Sequence, residues 1–413
     1  MSIRIREITS CEVCGNKKLS SMLDLGNHPM CDALVSIGDT RMSEEFPIEI
    51  LFCSECRTAH QRFQIPKEDL FPQTYHYRAR HTADVLKGMA QLVASAEEQL
   101  GELTSKKVVD IGCNDGSLLS IFLKKGAQTF GIEPTGAYTD AQKTGHEVMH
   151  VFFNEATATK FVQAYGRPDI VTFTNVFAHI EHLDQVIRAL QILCHANTTI
   201  IIENHYFGSV LSGYQFDTFY HEHPRTYSYS SFVRIAESLG REVSLLQFPQ
   251  RYGGNIRVFL QTPKISGKLQ HDRWQEMDKT ESDFGSRLGD MAAKIKIWRS
   301  RKRQQIEDAV RAHGKLVAKA FPGRAAILIK VLELNESLIA ATYEKPQSGK
   351  IGHYIPGTRI PILSDDLIIE ALPSGAPILN LAWHISDEIH AYVRQLGFKG
   401  EFIDIISSDD FSG

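Results

Sequence analysis

The densest ionisable patch in the sequence is Phe219-Tyr220-His221-Glu222-His223-Pro224-Arg225-Thr226-Tyr227. An imidazole next to a carboxylate can abstract a proton near neutral pH, and Glu222 could orient or charge a neighbouring ring. The H-x-H spacing differs from the helical H-E-x-x-H of zinc hydrolases. Acid/base chemistry therefore stands first, ahead of a satisfied polar network and of a second metal site. Sulfur chemistry is concentrated elsewhere. Cys11 and Cys14 form one C-x-x-C pair, and Cys53 and Cys56 another. Each pair can make a thiolate knuckle, and two knuckles close a tetrahedral zinc site. Four protein ligands leave no open position, which makes the metal structural. A redox dithiol is the alternative, but that motif usually sits in a βαβ context missing here. Cys31, Cys113 and Cys194 read as lone, small apolar residues.

A third group of candidates falls on a turn. Val108-Val109-Asp110-Ile111-Gly112-Cys113-Asn114-Asp115-Gly116-Ser117-Leu118-Leu119 reads as strand, tight loop and helix. Its glycines admit a ligand close to the backbone, and the helix behind them offers unpaired N–H groups. Gly112 and Gly116 are three residues apart, so this is not the G-x-G-x-x-G of dinucleotide folds. The next strand ends in Glu133, at about the twenty-residue offset where an acid grips ribose hydroxyls. The acid at the strand tip and the glycine spacing resemble motif I of the class I S-adenosylmethionine (SAM) methyltransferases. That resemblance implies SAM as cofactor, with Asp110, Gly112, Asn114 and Gly116 receiving its methionine part and Glu133 its ribose. A turn that holds NAD, or no ligand, is the competing reading.

The elements that must position these groups alternate as βαβ units do. Strands are expected at Val108 to Ile111, Phe130 to Glu133, Val148 to Phe153, Asp169 to Thr174 and Thr198 to Glu203, forming a parallel, doubly wound sheet. Ligands of such sheets sit outside the carboxyl ends of the strands. There the fourth strand delivers Asn175-Val176-Phe177-Ala178-His179-Ile180-Glu181-His182, and the fifth delivers Glu203-Asn204-His205-Tyr206. Tyr75-His76-Tyr77-Arg78-Ala79-Arg80-His81 precedes a helix from Ala83 to Leu100 and reads equally as a lid or as an interdomain loop. Tyr252 to Phe259 reads as a glycine turn into one more strand. Met277, Phe284, Leu288, Met291, Ile295 and Trp298 recur at helical spacing, a core seam on a connector from about Gln270 to Ala312. Arg299, Arg301, Lys302 and Arg303 are expected on its solvated face. The last hundred residues look like another α/β unit, crossed by a stiff loop from Gly349 to Ile362 of the kind that binds or docks something.

With 413 residues, 43% of them hydrophobic and 23% charged, two or three domains are expected. A net charge of −4 gives no reason to expect nucleic acid. No apolar run reaches membrane-span length, and MSIRIREITSCEVCG lacks the apolar core of a signal peptide, so a cytoplasmic enzyme is expected. Seven cysteines, four of them in C-x-x-C pairs, favour metal over disulfides.

The cysteine pairs, the Asp110 turn, Asn175-Val176-Phe177-Ala178-His179-Ile180, Tyr220-His221-Glu222-His223 and Tyr354-Ile355-Pro356-Gly357-Thr358-Arg359-Ile360-Pro361-Ile362 together resemble the sugar C-methyltransferases. These are typified by the C-3-methyltransferases of nucleotide-linked 4-keto-deoxysugars. The likeness covers nearly the whole chain. It implies a zinc-binding module over residues 1–70, a SAM-binding Rossmann-like domain over 71–265, a helical connector over 266–313 and a Rossmann-like α/β domain over 314–413, three fused domains that fit a monomer. It also implies the chemistry. A 4-keto sugar loses its C3 proton to His223, oriented by Glu222 and Tyr220, and the enolate takes the SAM methyl. Asn175 and His179 would stabilise the enolate or hold the sugar, and Tyr77 matches a tyrosine at the same point in the family. Val317-Ala318-Lys319-Ala320-Phe321-Pro322-Gly323-Arg324 departs from the family's Y-G-A-x-x-K-G turn, which leaves dTDP, GDP and CDP open as carrier. O- or N-methylation of a small molecule and a non-catalytic zinc and SAM-fold scaffold are the competing functions.

Overall fold

A computed structural model describes residues 5–73, 75, 77–263 and 268–411. His76 of the aromatic and basic cluster, the first four residues, and residues 266 and 267 of the expected connector lie outside the described residues, as do the side chains of Tyr252 and of 268–273. The chain forms two compact units. Met1–Ser21, Leu51–Gly213 and Glu222–Gly285 make the first, and Met22–Ile50, Tyr214–His221 and Ser286–Gly413 make the second.

In the first unit, strands rich in β-branched and apolar residues form β1 (Lys107–Ile111), β4 (Ile170–Thr174) and β5 (Thr199–His205), joined by β2 (Gln128–Ile132), the short β3 (Glu147–Met149), β6 (Glu242–Gln247) and β7 (Asn255–Gln261). The sheet order is β6-β7-β5-β4-β1-β2-β3. All neighbours among β1 to β5 are parallel, while β7 runs antiparallel to both β5 and β6. This is the class I methyltransferase arrangement, and β1 and β4 at its centre set the topological switch where ligands bind. Helices cover both faces: α1 (Ala83–Leu100), α2 (Ser117–Lys124), α3 (Tyr138–Lys143), α4 (Glu155–Tyr165), α5 (Leu183–Leu193) and α6 (Tyr229–Ser238). Asn154 caps α4 by accepting from the Thr157 amide at 2.9 Å, and Ser228 and Ser231 form a capping box on α6. On one face, Leu92 and Val93 of α1 and Leu118, Leu119 and Phe122 of α2 pack with Val108, Ile170, Ile201 and Phe259 of the sheet.

The expected connector is two helices, α7 (Lys268–Glu281) and α8 (Phe284–His313). Its apolar stripe is buried throughout, from Met277 to Trp298. Lys302 corrects the solvated-face expectation. It lies four residues after Trp298 on the same helix face, is only 4% exposed, and donates to the Asp404 carbonyl and the Asp410 carboxylate, each at 3.0 Å.

The second unit contains a five-stranded parallel sheet of β8 (Leu316–Lys319), β9 (Ile339–Glu344), β10 (Ile362–Ser364), β11 (Ile378–Asn380) and β12 (Phe402–Asp404), in the order β10-β9-β8-β11-β12. The glycine and proline loop docks within its own unit: His353–Tyr354 pairs with Val35–Ser36, and the Arg359 guanidinium donates to the carbonyls of Asp39, Thr40 and Arg41. No described helix is long and apolar enough to cross a membrane.

Candidate active site

Asp110 sits near the end of β1, beside Thr172 of β4, and is 3% exposed. The Thr172 hydroxyl donates to it at 2.7 Å. Burial pushes its carboxyl up to about 7; the Thr172 bond opposes that and the Glu133 charge adds to it. Among the described residues no cationic side chain hydrogen-bonds this carboxyl. Gly112, at φ +72°, follows, and a methyl group added there would come within 2.7 Å of a Val176 methyl carbon. The turn thus needs glycine for its backbone conformation and for the close approach of the β4 loop. Asn114, at φ +50°, donates its amide to Glu133 at 2.9 Å, and Gly116, at φ +75°, precedes α2. Glu133 also accepts from the Thr135 amide and hydroxyl at 2.8 and 2.6 Å. Asp110, Gly112, Asn114, Gly116 and Glu133 therefore share one rim.

Tyr77 reaches that rim through its backbone. The Asn114 side chain donates to the Tyr77 carbonyl at 3.1 Å and accepts from the Ala79 amide at 3.0 Å, while the Arg80 amide donates to Asp115 at 2.9 Å. Arg78 and Arg80 both pair with Asp140. Residues 77–80 are laid along the glycine turn, and Tyr77 is 44% exposed.

The histidines meet beyond β4 and β5. Ring centroids of His179 and His223 are 4.8 Å apart, and those of His205 and His223 are 5.6 Å apart. His179 Nδ1 lies 2.7 Å from the Glu222 carbonyl. A carbonyl only accepts, so Nδ1 carries the hydrogen and Nε2 presents a lone pair. Burial lowers the His179 pKa to about 4, against the carbonyls of Glu222 and Asn175, which favour the charged ring. The ring is thus neutral at physiological pH, with Phe71 packed edge-on at 5.3 Å. The Tyr75 hydroxyl donates to the Glu222 carboxylate at 3.1 Å. Tyr220 belongs to the Tyr214–His221 segment of the second unit, where Asp217 accepts from Arg324 Nε and Nη2, each at 2.7 Å, and His221 bonds the Phe46 carbonyl at 3.1 Å.

Sequence reasoning missed a buried ionic group behind this rim. Glu203 of β5 is fully buried and accepts from Arg251 and Arg257, each at 2.6 Å, and from the Asn255 side chain at 2.9 Å. The partners are dozens of residues away and share no spacing with it. Asn175, at φ +55°, accepts from that same Asn255 amide at 3.3 Å.

At the metal site the ligand atoms of Cys11, Cys14, Cys53 and Cys56 all lie within 4.8 Å of one another, with Cys11 to Cys56 at 3.4 Å and Cys14 to Cys53 at 3.6 Å. Zinc–sulfur bonds of ~2.3 Å in a tetrahedron put the sulfurs ~3.8 Å apart, so the donor set fits zinc. Crowding sets the thiols against one another: the bond between them pushes Cys11 up to about 12 and pulls Cys53 well down. The knuckles are fastened to the loop that follows His223. Ser228 and Ser231 hydroxyls donate to the Cys56 carbonyl at 3.0 and 3.2 Å, and Arg225, fully buried, pairs with Glu12. Burial opposes charge on Glu12, yet Arg225 and Arg6 outweigh it and hold the carboxyl at about 2.

Known proteins share these features. Residues 11–71 match a family described as "Putative zinc binding domain", residues 77–245 a methyltransferase domain and residues 250–406 a C-methyltransferase C-terminal domain. The C-methyltransferase NovU of Streptomyces niveus is 27% identical over 391 residues, spanning 93% of this chain and 92% of that protein. Together these matches support a SAM-dependent C-methyltransferase family for this chain. A ubiquinone biosynthesis O-methyltransferase of Acinetobacter baylyi is 29% identical over 101 residues, 24% of this chain and 42% of that one. The SAM-bound magnesium protoporphyrin IX methyltransferase of Synechocystis PCC 6803 aligns at 15% identity and a TM-score of 0.33, covering 43% of this chain and 80% of that one. As a methyltransferase, this chain takes SAM as methyl donor and binds zinc through its cysteine cluster.

Proposed function

We propose that the enzyme methylates a ring carbon, C3, of a nucleotide-linked 4-keto sugar through an enolate. The observation that carries this reading is the clustering of His179, His205 and His223 at the strand ends, joined to the Gly112 turn through Val176. Asp110, Gly112, Asn114 and Gly116 would hold the methionine part of SAM, and Glu133 the ribose. When bound, SAM supplies an electrophilic methyl on a sulfonium, whose departure as a neutral thioether needs no acid.

His223 takes the proton from the carbon beside the carbonyl, and the bonding pair moves to the carbonyl oxygen. Glu222, held by Tyr75, orients this ring, and Tyr77 closes the entrance. Hydrogen-bond arithmetic divides the other roles. His179 offers a lone pair at Nε2 and suits a sugar hydroxyl, whereas an oxyanion needs a donor, which Asn175 supplies. Phe71, packed edge-on against His179, shields that side of the ring from water.

Solvent exchange tests the reading. With S-adenosylhomocysteine bound and a dTDP-, GDP- or CDP-linked 4-keto-6-deoxyhexose in deuterium oxide, the wild type should wash deuterium into the carbon beside the carbonyl. His223→Ala should abolish exchange while SAM affinity stays within about twofold. No exchange by the wild type with any carrier favours O- or N-methylation and sinks the proposal, and exchange retained by His223→Ala removes His223 as the base.

A further inference from the structure

We propose that Glu203, acting through Asn255, fixes the direction in which the Asn175 side-chain amide faces, so that Asn175 meets the substrate as a hydrogen-bond donor. The inference deepens the sugar reading and rests on it for the identity of the oxygen that is met.

Glu203 is fully buried between two arginines, and both of its oxygens accept hydrogen bonds. A carboxylate in this setting can only accept, so the Asn255 group facing it at 2.9 Å must be the NH2. That NH2 has a second hydrogen, which goes to Asn175 at 3.3 Å. The atom of Asn175 that receives it must be the carbonyl oxygen, which leaves the Asn175 NH2 on the other side. Asn255 has no freedom to turn over, because its own oxygen would then face a carboxylate in a fully buried place. Its Oδ1 has no hydrogen-bond partner among the described residues, a cost accepted to keep the NH2 on Glu203.

The backbone supports the same arrangement. Asn175 is held in the left-handed region at φ +55°, with its amide donating to the Glu203 carbonyl at 2.7 Å. Asparagine tolerates this conformation better than most side chains. Arg251 and Arg257 tie the group to α1 through the Val85 carbonyl at 2.9 Å and the Gly88 carbonyl at 3.3 Å. A methyl at Gly88 would come within 2.3 Å of an Arg251 nitrogen, so the helix sits directly on the guanidinium. Asn175 is partly exposed on the rim, one residue before the Val176 that touches the glycine turn. Glu203 and Asn255 are therefore positioning residues, and the group that touches substrate is Asn175.

The test is a double-mutant cycle with a sign-reversing control, read as kcat, substrate KM, SAM Kd and melting temperature with the dTDP-linked 4-keto-6-deoxyhexose. Asn175→Ala should lower kcat by about 10²- to 10³-fold, the loss seen when one oxyanion donor is removed. Asn255→Ala should lower kcat by about 10- to 100-fold, with KM and SAM Kd within about threefold. Added to Asn175→Ala, it should cost less than about threefold more, because the amide it orients is gone. Asn175→Asp preserves shape and the bond from Asn255 but turns the outward group from donor to acceptor, and should fall at least as far as Asn175→Ala. Because residue 175 lies on the rim, this variant keeps the assay readable if Asn255→Ala does not fold. Multiplicative effects in the cycle, or an Asn175→Asp enzyme within about threefold of wild type, overturn the inference while the sugar reading stands. A wild type that exchanges no carbon proton overturns both.

Discussion

Along the carboxyl rim of the first sheet, β1, β4 and β5 lead into Asp110, Asn175 and His205, a buried acid followed by a half-buried amide and a half-buried imidazole. Asp110 is a buried acid with a single hydroxyl donor among its hydrogen bonds, and Asn255 Oδ1 has none among the described residues. The rim of the second sheet has the same parallel architecture and the opposite chemistry. Lys319 is bound by Asp365 at 2.7 Å and the Tyr343 carbonyl at 3.0 Å, and Tyr392 donates to the same Asp365 at 3.0 Å. Asn380 donates to Asp404, which also accepts from Ser386 and His390. The buried acid of the first rim meets a hydroxyl, whereas the buried acid of the second meets an ammonium. Two parallel sheets can thus share a topological switch and still differ in how the groups at their rims are paired.

This contrast can be broken in several places. The largest effect should come from the cysteine cluster, since Cys53→Ser or a strong chelator removes a folding ligand of the first unit. We expect about one zinc per chain by elemental mass spectrometry and a loss of several kcal/mol with the metal, together with loss of exchange at carbon, because the loop carrying His223 is fastened to the knuckle. Glu203→Gln should cost about 3–5 kcal/mol in denaturant melts by stranding Arg251 and Arg257, and should lower kcat as well. Lys319→Met should cost a comparable or smaller amount by stranding Asp365, yet leave SAM affinity unchanged by calorimetry, and adding Asp365→Leu should restore much of the stability. A Lys319→Met enzyme that loses SAM affinity would erase the distinction between the rims.

Two pH effects are smaller. With its carboxyl raised to about 7, Asp110 is half protonated at that pH, and in the proposed role at the methionine part of SAM it would have to ionise. SAM affinity should therefore tighten as pH rises from about 6 to 7.5, with proton release on binding in calorimetry run in two buffers. His179 and His221 are both lowered by burial from 6.5 to about 4. Below pH 6.5 the unfolded chain binds protons that the folded chain refuses, so stability should fall as pH drops from 6.5 toward 4. A melting temperature that is flat across that window would contradict neutral, buried rings.

Much of this architecture is legible in the sequence wherever the signal is local. Val108 and Val109 running into Asp110 predict β1, the C-x-x-C spacing predicts four converging sulfurs, and the helix from Ala83 to Leu100 has the bounds expected. Distance in sequence hides the rest. Glu203 reads as one more polar residue after an apolar strand, because Arg251 and Arg257 come close only when β7 pairs antiparallel with β5. The three-residue strands β10 and β12 are too short to show alternation. Lys302 sits inside a basic run that looks solvated, although its four-residue offset from Trp298 does place it on the buried face. The tautomer of His179 has no sequence signature at all; it follows from a backbone carbonyl 43 residues further on.

The left-handed backbone at Asn175 limits any effort to retune this enzyme. Few amino acids accept that twist without strain, and of those only asparagine also carries an NH2 to offer. Whoever wishes to broaden the range of acceptors would do better to alter the neighbours that shape the cleft, since at this position the alphabet has been reduced to nearly a single letter by geometry before chemistry has its say.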